Sequence, residues 1–144
     1  MGDGQGSGDF EARLGEARAE AVRLGVGGYE RHILICTGPD CCTPEQGLAA
    51  WSQLKAGVAQ LNKSGERGQV YRTKVGCLRI CHQGPTAVVY PEGTWYGGME
   101  KEALARVIRE DLGGGRPVNE FVIGHNPLTI GPVEGAGLGR DAGA

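Results

Sequence analysis

Five cysteines fall in two short stretches of this chain. The first, "HILICTGPDCCTPEQG", holds Cys36, Cys41 and Cys42; the second, "KVGCLRICHQGPTAVVYPEGTWYG", holds Cys77 and Cys81. Thiolates are soft ligands that select zinc, copper(I) or iron–sulfur centres. Four residues separate Cys36 from Cys41, and three separate Cys77 from Cys81. Structural zinc sites usually close each pair with two to four intervening residues, so both pairs lie at the loose end for a single ion. A two-iron cluster is wider, with each iron taking two thiolates, and looser spacing suits it. A thioredoxin-type dithiol needs Cys-x-x-Cys at a helix start, and no pair here has that spacing. Spacing thus favours iron–sulfur and leaves zinc and free or redox-active thiols open.

The odd cysteine count argues against a disulfide framework. The N-terminal "MGDGQGSGDFEARLGEAR" lacks the apolar core of a secretory signal, so a cytoplasmic protein is expected. The 144 residues fit one domain. A net charge of −2 and a pI near 5.9 argue against a general binder of nucleic acid or membrane surfaces. No apolar run reaches the length of a membrane span.

The elements that must position the thiols can be read from periodicity. Residues 1–9 are too poor in apolar groups to be expected to order themselves. In 10–24, Phe10, Leu14, Ala17, Ala21 and Leu24 fall on one helical stripe, so a helix is predicted there as an add-on or partner-docking element. "GVGG" stops it. "RHILI" (31–35) reads as a buried strand. Thr43, Pro44 and Gln46 form a capping-box signature, with proline where its missing N–H costs least. Leu48, Trp51, Leu54, Val58 and Leu61 then recur at helical spacing to about Asn62. "QVYRTKV" (69–75) alternates as a second strand, "TAVVY" (86–90) is a third, and "TWYG" follows a "PEGT" turn as a short fourth. Residues 99–112 form a helix with Leu104, Val107, Ile108 and Leu112 on one stripe. "VNEFVI" is a short strand or an extended docking segment, and the glycine-rich end beyond is expected to be mobile.

The order β-α-β-β-β-α implies a parallel crossover followed by an antiparallel hairpin. The expected architecture is α/β and thioredoxin-like: a mixed four-stranded sheet flanked by helices, with an extra N-terminal helix. The expected divisions are an N-terminal tail and helix (1–28), the domain (29–123) and a glycine-rich tail (124–144). Both cysteine stretches follow a strand of the parallel pair, so both leave the same sheet edge. Cys36, Cys41 and Cys42 can then stand beside Cys77 and Cys81, a four-thiolate site with one thiol to spare.

Residues 29–123 resemble the thioredoxin-like [2Fe–2S] ferredoxins, a family that includes the small iron–sulfur subunit of respiratory NADH dehydrogenases and of some hydrogenases. The resemblance rests on "HILICTGPDC", "GCLRIC", "GPTAVVYPEGTWYGGM" and "GGGRPVNEFVI". It implies that Cys36, one of Cys41 or Cys42, Cys77 and Cys81 ligate a [2Fe–2S] cluster. Counting from Cys36, the Cys-x4-Cys spacing matches family members with a short first loop and selects Cys41. Counting back from the Thr43 cap favours Cys42. The resemblance also implies a homodimer and a one-electron carrier that serves redox partner proteins. No paired carboxylates, nucleophile motif or phosphate loop suggests substrate chemistry, so the chain is not expected to be an enzyme in its own right. Two alternatives from other classes are a structural zinc-binding interaction module and a thiol- or cluster-based redox sensor.

Other residues have plainer roles. His82 follows a ligand cysteine, but four thiols already suffice. His32 and His125 are expected on the surface or in strands, and Trp51 in the core. Trp95 and Tyr96 suit either the core or a subunit interface at a sheet edge. Pro85 stands where thioredoxin-like folds often hold a cis-proline.

Overall fold

A computed structural model describes residues 3–65 and 68–128 of the chain, with side chains from Gly8 onward. Strand β1 (Tyr29–Cys36) leads through helix α2 (Pro44–Ser64) to β2 (Gln69–Val75), and the two strands pair in parallel with Cys36 opposite Val75. β3 (Ala87–Tyr90) runs antiparallel on the other side of β1, and the turn after it returns as β4 (Thr94–Tyr96). Helix α3 (Lys101–Arg106) continues as a π-helical segment, Val107–Leu112. A 3₁₀ turn at Asn119–Phe121 leads into β5 (Val122–His125). The sheet order is β2-β1-β3-β4-β5. The α/β architecture and the parallel crossover are those expected, with a fifth strand. Of the two readings for "VNEFVI", its last two residues open a strand, and that strand pairs with β4.

Helix α2 starts where the sequence says. The Thr43 hydroxyl accepts from the Gln46 N–H, the Gln46 side chain accepts from the Thr43 N–H, and Gly65 closes the other end in the left-handed region. Its buried stripe is Ala50, Leu54 and Val58, packed with Ile33 and Ile35 of β1 and with Leu104 and Val107 of α3 and its extension. Burying a side chain such as Leu54 contributes about 1.5–3 kcal/mol. Leu48 was expected on this stripe but is 60% exposed. At roughly 100° per residue it stands about 120° away from Leu54 around the helix. Trp51, between the two, is half-buried, with the Arg72 guanidinium 5.1 Å from its ring centre and the Lys55 and Lys74 ammonium groups at 5.9 Å.

Because β5 pairs with β4, β4 is an interior strand rather than an edge. Tyr96 is fully buried and belongs to the core. Its hydroxyl donates to the Asp111 carboxylate at 2.5 Å and accepts from the Val118 N–H at 3.1 Å. Burial pushes the Asp111 carboxyl up, while the Tyr96 hydrogen bond pulls it down. A carboxyl raised in the fold costs stability progressively as pH rises through its folded value. Tyr96→Phe removes the opposing bond and strands a buried carboxylate and a buried N–H. The expected loss is about 1–3 kcal/mol per stranded group, with a steeper fall in stability above the ordinary carboxylate range. Urea midpoints measured across pH check both.

Helix α1 spans Asp3–Leu24, seven residues earlier than its apolar stripe begins. The expectation that residues 1–9 do not order is corrected from Asp3 onward: the helix propagates through them, one hydrogen bond per residue fixed, despite the unfavourable Gly4, Gly6 and Gly8. From Gly8 to Leu24 no residue is buried. At the other end, the Asn126 N–H donates to Gly93 and the Leu128 N–H to Pro91, so the domain runs past residue 123. The expectation of a mobile end from residue 124 is thus corrected for 124–128, and the rest of it lies outside the described residues.

Candidate metal centre

Parallel pairing sends the loops after β1 and β2 off the same edge of the sheet, and backbone bonds join them there. The Thr37 N–H donates to the Val75 carbonyl at 3.1 Å, and the Cys36 N–H donates to the Thr86 carbonyl at 2.8 Å. Cys36, almost wholly buried, places its Sγ 3.7 Å from the Gly76 carbonyl, next to Cys77. Two glycines let the loops close. A Cβ on Gly84 would lie 2.1 Å from the Cys41 carbonyl oxygen. Gly38, at φ +90°, passes so near Cys42 that a Cβ there would lie 2.6 Å from the Cys42 carbonyl oxygen.

The sulfur atoms follow from this backbone. Cys36 Sγ and Cys41 Sγ are 2.7 Å apart, and Cys42 Sγ lies 3.8 Å from Cys41 Sγ. All five cysteines are free thiols. Cys42 is buried under Gly38, whereas Cys41 faces Cys36. Cys77 and Cys81 are exposed on the second loop. The Arg79 N–H donates to Cys77 Sγ at 3.1 Å, from a residue at φ 71°. Nothing in the sequence announced this N–H on the Cys77 sulfur.

Desolvation suppresses the ionisation of Cys41, Cys42 and Cys81. Burial first, and hydrogen bonding with Cys36 and Cys42 next, push the Cys41 thiol up to about 12. Partial desolvation raises Cys81, and the charges of Cys77, Asp40 and Cys36 add to it. Cys81 is thus within electrostatic reach of both loops. Cys42 is raised by burial as well. Such a donor set fits a cationic centre, which would hold as thiolates groups that otherwise stay protonated. The N-terminus of α2, with its positive dipole end, begins directly after Cys42. The Thr86 hydroxyl beside Cys36 is fully buried and has no partner among the described residues.

Of the expected ligands, the structure brings Cys36 and Cys41 into contact and sets Cys77 and Cys81 on the adjoining loop. Among the described residues, no three His, Cys, Asp or Glu side chains close on a point as a single metal ion requires. His82 is exposed next to Cys81, and His32 is half-buried far along β1, where its Nε2 lies 2.7 Å from Thr73 Oγ1. The Gly84–Pro85 peptide bond is cis, as are Gly38–Pro39 and Tyr90–Pro91.

A five-stranded mixed sheet with two cysteine loops at one edge defines an α/β protein whose thiols are placed to serve a soft metal centre. The comparisons narrow the class. Over 98 residues the chain is 43% identical to a 2Fe–2S ferredoxin of Aquifex aeolicus, a match spanning 65% of this chain and 88% of that one. It is 28% identical over 98 residues to a 2Fe–2S ferredoxin of Clostridium pasteurianum, spanning 65% of this chain and 96% of the relative. Among solved structures, a thioredoxin-like [2Fe–2S] ferredoxin from Aquifex aeolicus superposes with a TM-score of 0.59 at 24% identity, covering 71% of this chain and 98% of that one. No family model matches the chain. The chain belongs to the 2Fe–2S ferredoxin family, with the thioredoxin-like fold.

Proposed function

We propose that the chain holds one [2Fe–2S] cluster through Cys36, Cys41, Cys77 and Cys81 and carries single electrons between partner proteins. The observation that supports this most is the meeting of two cysteine loops at one sheet edge, with Cys36 Sγ 2.7 Å from Cys41 Sγ and the Cys77 loop bonded to the same backbone. When bound, the cluster supplies the one-electron couple; the chain supplies burial, orientation and electrostatics. Cys36 anchors the buried side, and Cys77 and Cys81 lie on the solvent side, where a partner can approach. The Arg79 N–H points its partial positive end at Cys77 Sγ and would stabilise the more negative, reduced state of a cluster held there.

In this reading the chain is a carrier rather than an enzyme. No helix among the described residues is long and apolar enough to cross a membrane, and the cytoplasm is the proposed site of action. A homodimer is also proposed. Trp95 supports it: β4 is interior, but Trp95 stays half-exposed on the sheet face opposite α2, in register with Val88 and Leu34. The domain responsible is residues 29–128.

Reductive titration of anaerobically purified protein tests the carrier role. Dithionite should bleach the visible bands after one electron per chain, and reoxidation should restore them. A colourless protein, or a spectrum lost irreversibly on reduction, contradicts it.

A further inference from the structure

From Gly8 to Leu24 helix α1 buries no residue, and Val22, off its stripe, is 75% exposed. Phe10 is 57% exposed and Leu24 46% exposed. The stripe is also more regular than an amphipathic face requires. Phe10, Leu14, Ala17, Ala21 and Leu24 are spaced four, three, four and three, a strict heptad seam. Four glycines lie within the helix, at 4, 6, 8 and 15, each unfavourable for an isolated helix. A helix so composed draws its stability from packing of its apolar face.

The charges beside the seam indicate what packs there. Glu11 and Arg18 flank it on one side, and Arg13 and Glu20 on the other. All four are exposed. Two such helices side by side in the same direction would oppose Arg13 to Arg18 of the second copy. Run antiparallel, with Leu14 beside Ala17 of the second copy and Phe10 beside Ala21, every flanking pair is opposite in sign. Glu11 then meets Arg18, and Arg13 meets Glu20, each twice by the two-fold symmetry. The alanines let the two backbones approach, and Phe10 fills the space over Ala21. In the single chain Arg13 pairs with Asp9 and Arg23 with Glu20, all at exposed positions, whereas Glu11 and Arg18 have no ion pair among the described residues.

We propose that α1 is a self-association element that pairs antiparallel with α1 of a second copy of this chain. It acts apart from the cluster, so the visible spectrum should not change in any variant below.

Substitutions at Glu11 and Arg18 test it, because neither disturbs an ion pair within the helix. The full-length holoprotein, Arg18→Glu, Glu11→Arg and an equimolar mixture of the two variants are compared by sedimentation at low and high salt. Arg18→Glu alone sets a carboxylate against Glu11 at both places, and Glu11→Arg alone sets a guanidinium against Arg18. Each should self-associate at least tenfold more weakly than the native chain. The mixture restores an opposite-charge pairing and should recover native affinity. High salt should narrow these differences. Stronger association of Arg18→Glu would indicate a parallel pair, with the introduced carboxylate meeting Arg13, and overturn the proposal. Equal association of all samples, no association of the native chain, or no recovery in the mixture would overturn it too.

Discussion

Cys41→Ser should make the cluster labile, and Cys42→Ser should leave it spectroscopically native. The two residues are adjacent and their sulfurs are in contact, but they differ in burial and in their other neighbours. Cys41 Sγ meets Cys36 Sγ, while Cys42 turns inward beneath Gly38 and is 8% exposed. Both residues lie in a bend, with their sulfurs 3.8 Å apart; what separates them is that Cys41 Sγ stands 2.7 Å from Cys36 Sγ, whereas Cys42 packs against Gly38. Loss of even an outer-shell partner costs roughly 10–100-fold in metal affinity. Loss of a ligand should therefore shorten the cluster's lifetime against a chelator by at least that much and shift its visible bands. Cys42→Ser buries a hydroxyl in place of a thiol, at a cost of about 1–3 kcal/mol of stability if that hydroxyl stays unbonded, without moving the bands. The readouts are thus separable: spectrum and lifetime for Cys41, thermal midpoint for Cys42. The reverse pattern would move the ligand to Cys42.

Gly84→Ala should loosen the site from the other side. The added methyl would lie 2.1 Å from the Cys41 carbonyl oxygen and 2.7 Å from its carbonyl carbon. Both are backbone atoms, so no side chain can swing away, and the two loops must part. Overpacking of this kind costs about 1–3 kcal/mol in a well-packed core. Here the strain falls on the joint between the two cysteine loops. Cluster release to a chelator should accelerate by at least tenfold. Gly76→Ala is the internal comparison, since nothing lies within 4 Å of a Cβ there. It sits as near the ligands in sequence and should behave as the native chain does. Equal lifetimes for the two variants would mean that the loops tolerate separation, and that their contact does not hold the site together.

The sequence made some of this structure legible and hid the rest for identifiable reasons. The capping box at Thr43 and the β-branched runs are local signals, and the elements they predict begin and end close to where expected. The parallel crossover followed from a helix between two strands, and it put both cysteine loops at one edge. The fifth strand was ambiguous because "VNEFVI" is short and its pairing with β4 is long-range. That pairing also decided Tyr96, which read equally well as core or interface until β5 made β4 an interior strand. Leu48 misled because a stripe assigned by spacing alone is wider than the face the sheet covers. Within the site, the residue types and their spacing were readable. The glycine contacts at positions 38 and 84, the Arg79 N–H on Cys77 and the unpartnered Thr86 hydroxyl arise only from the folded backbone, where loops close on one another.

The most direct measurement is the iron, zinc and acid-labile sulfide content of the full-length chain purified without air. Two irons and two sulfides per chain, with no zinc, is the predicted result for four thiolates shared between two metal ions. One tightly held zinc and no sulfide would contradict it and make the cysteine edge a structural knot.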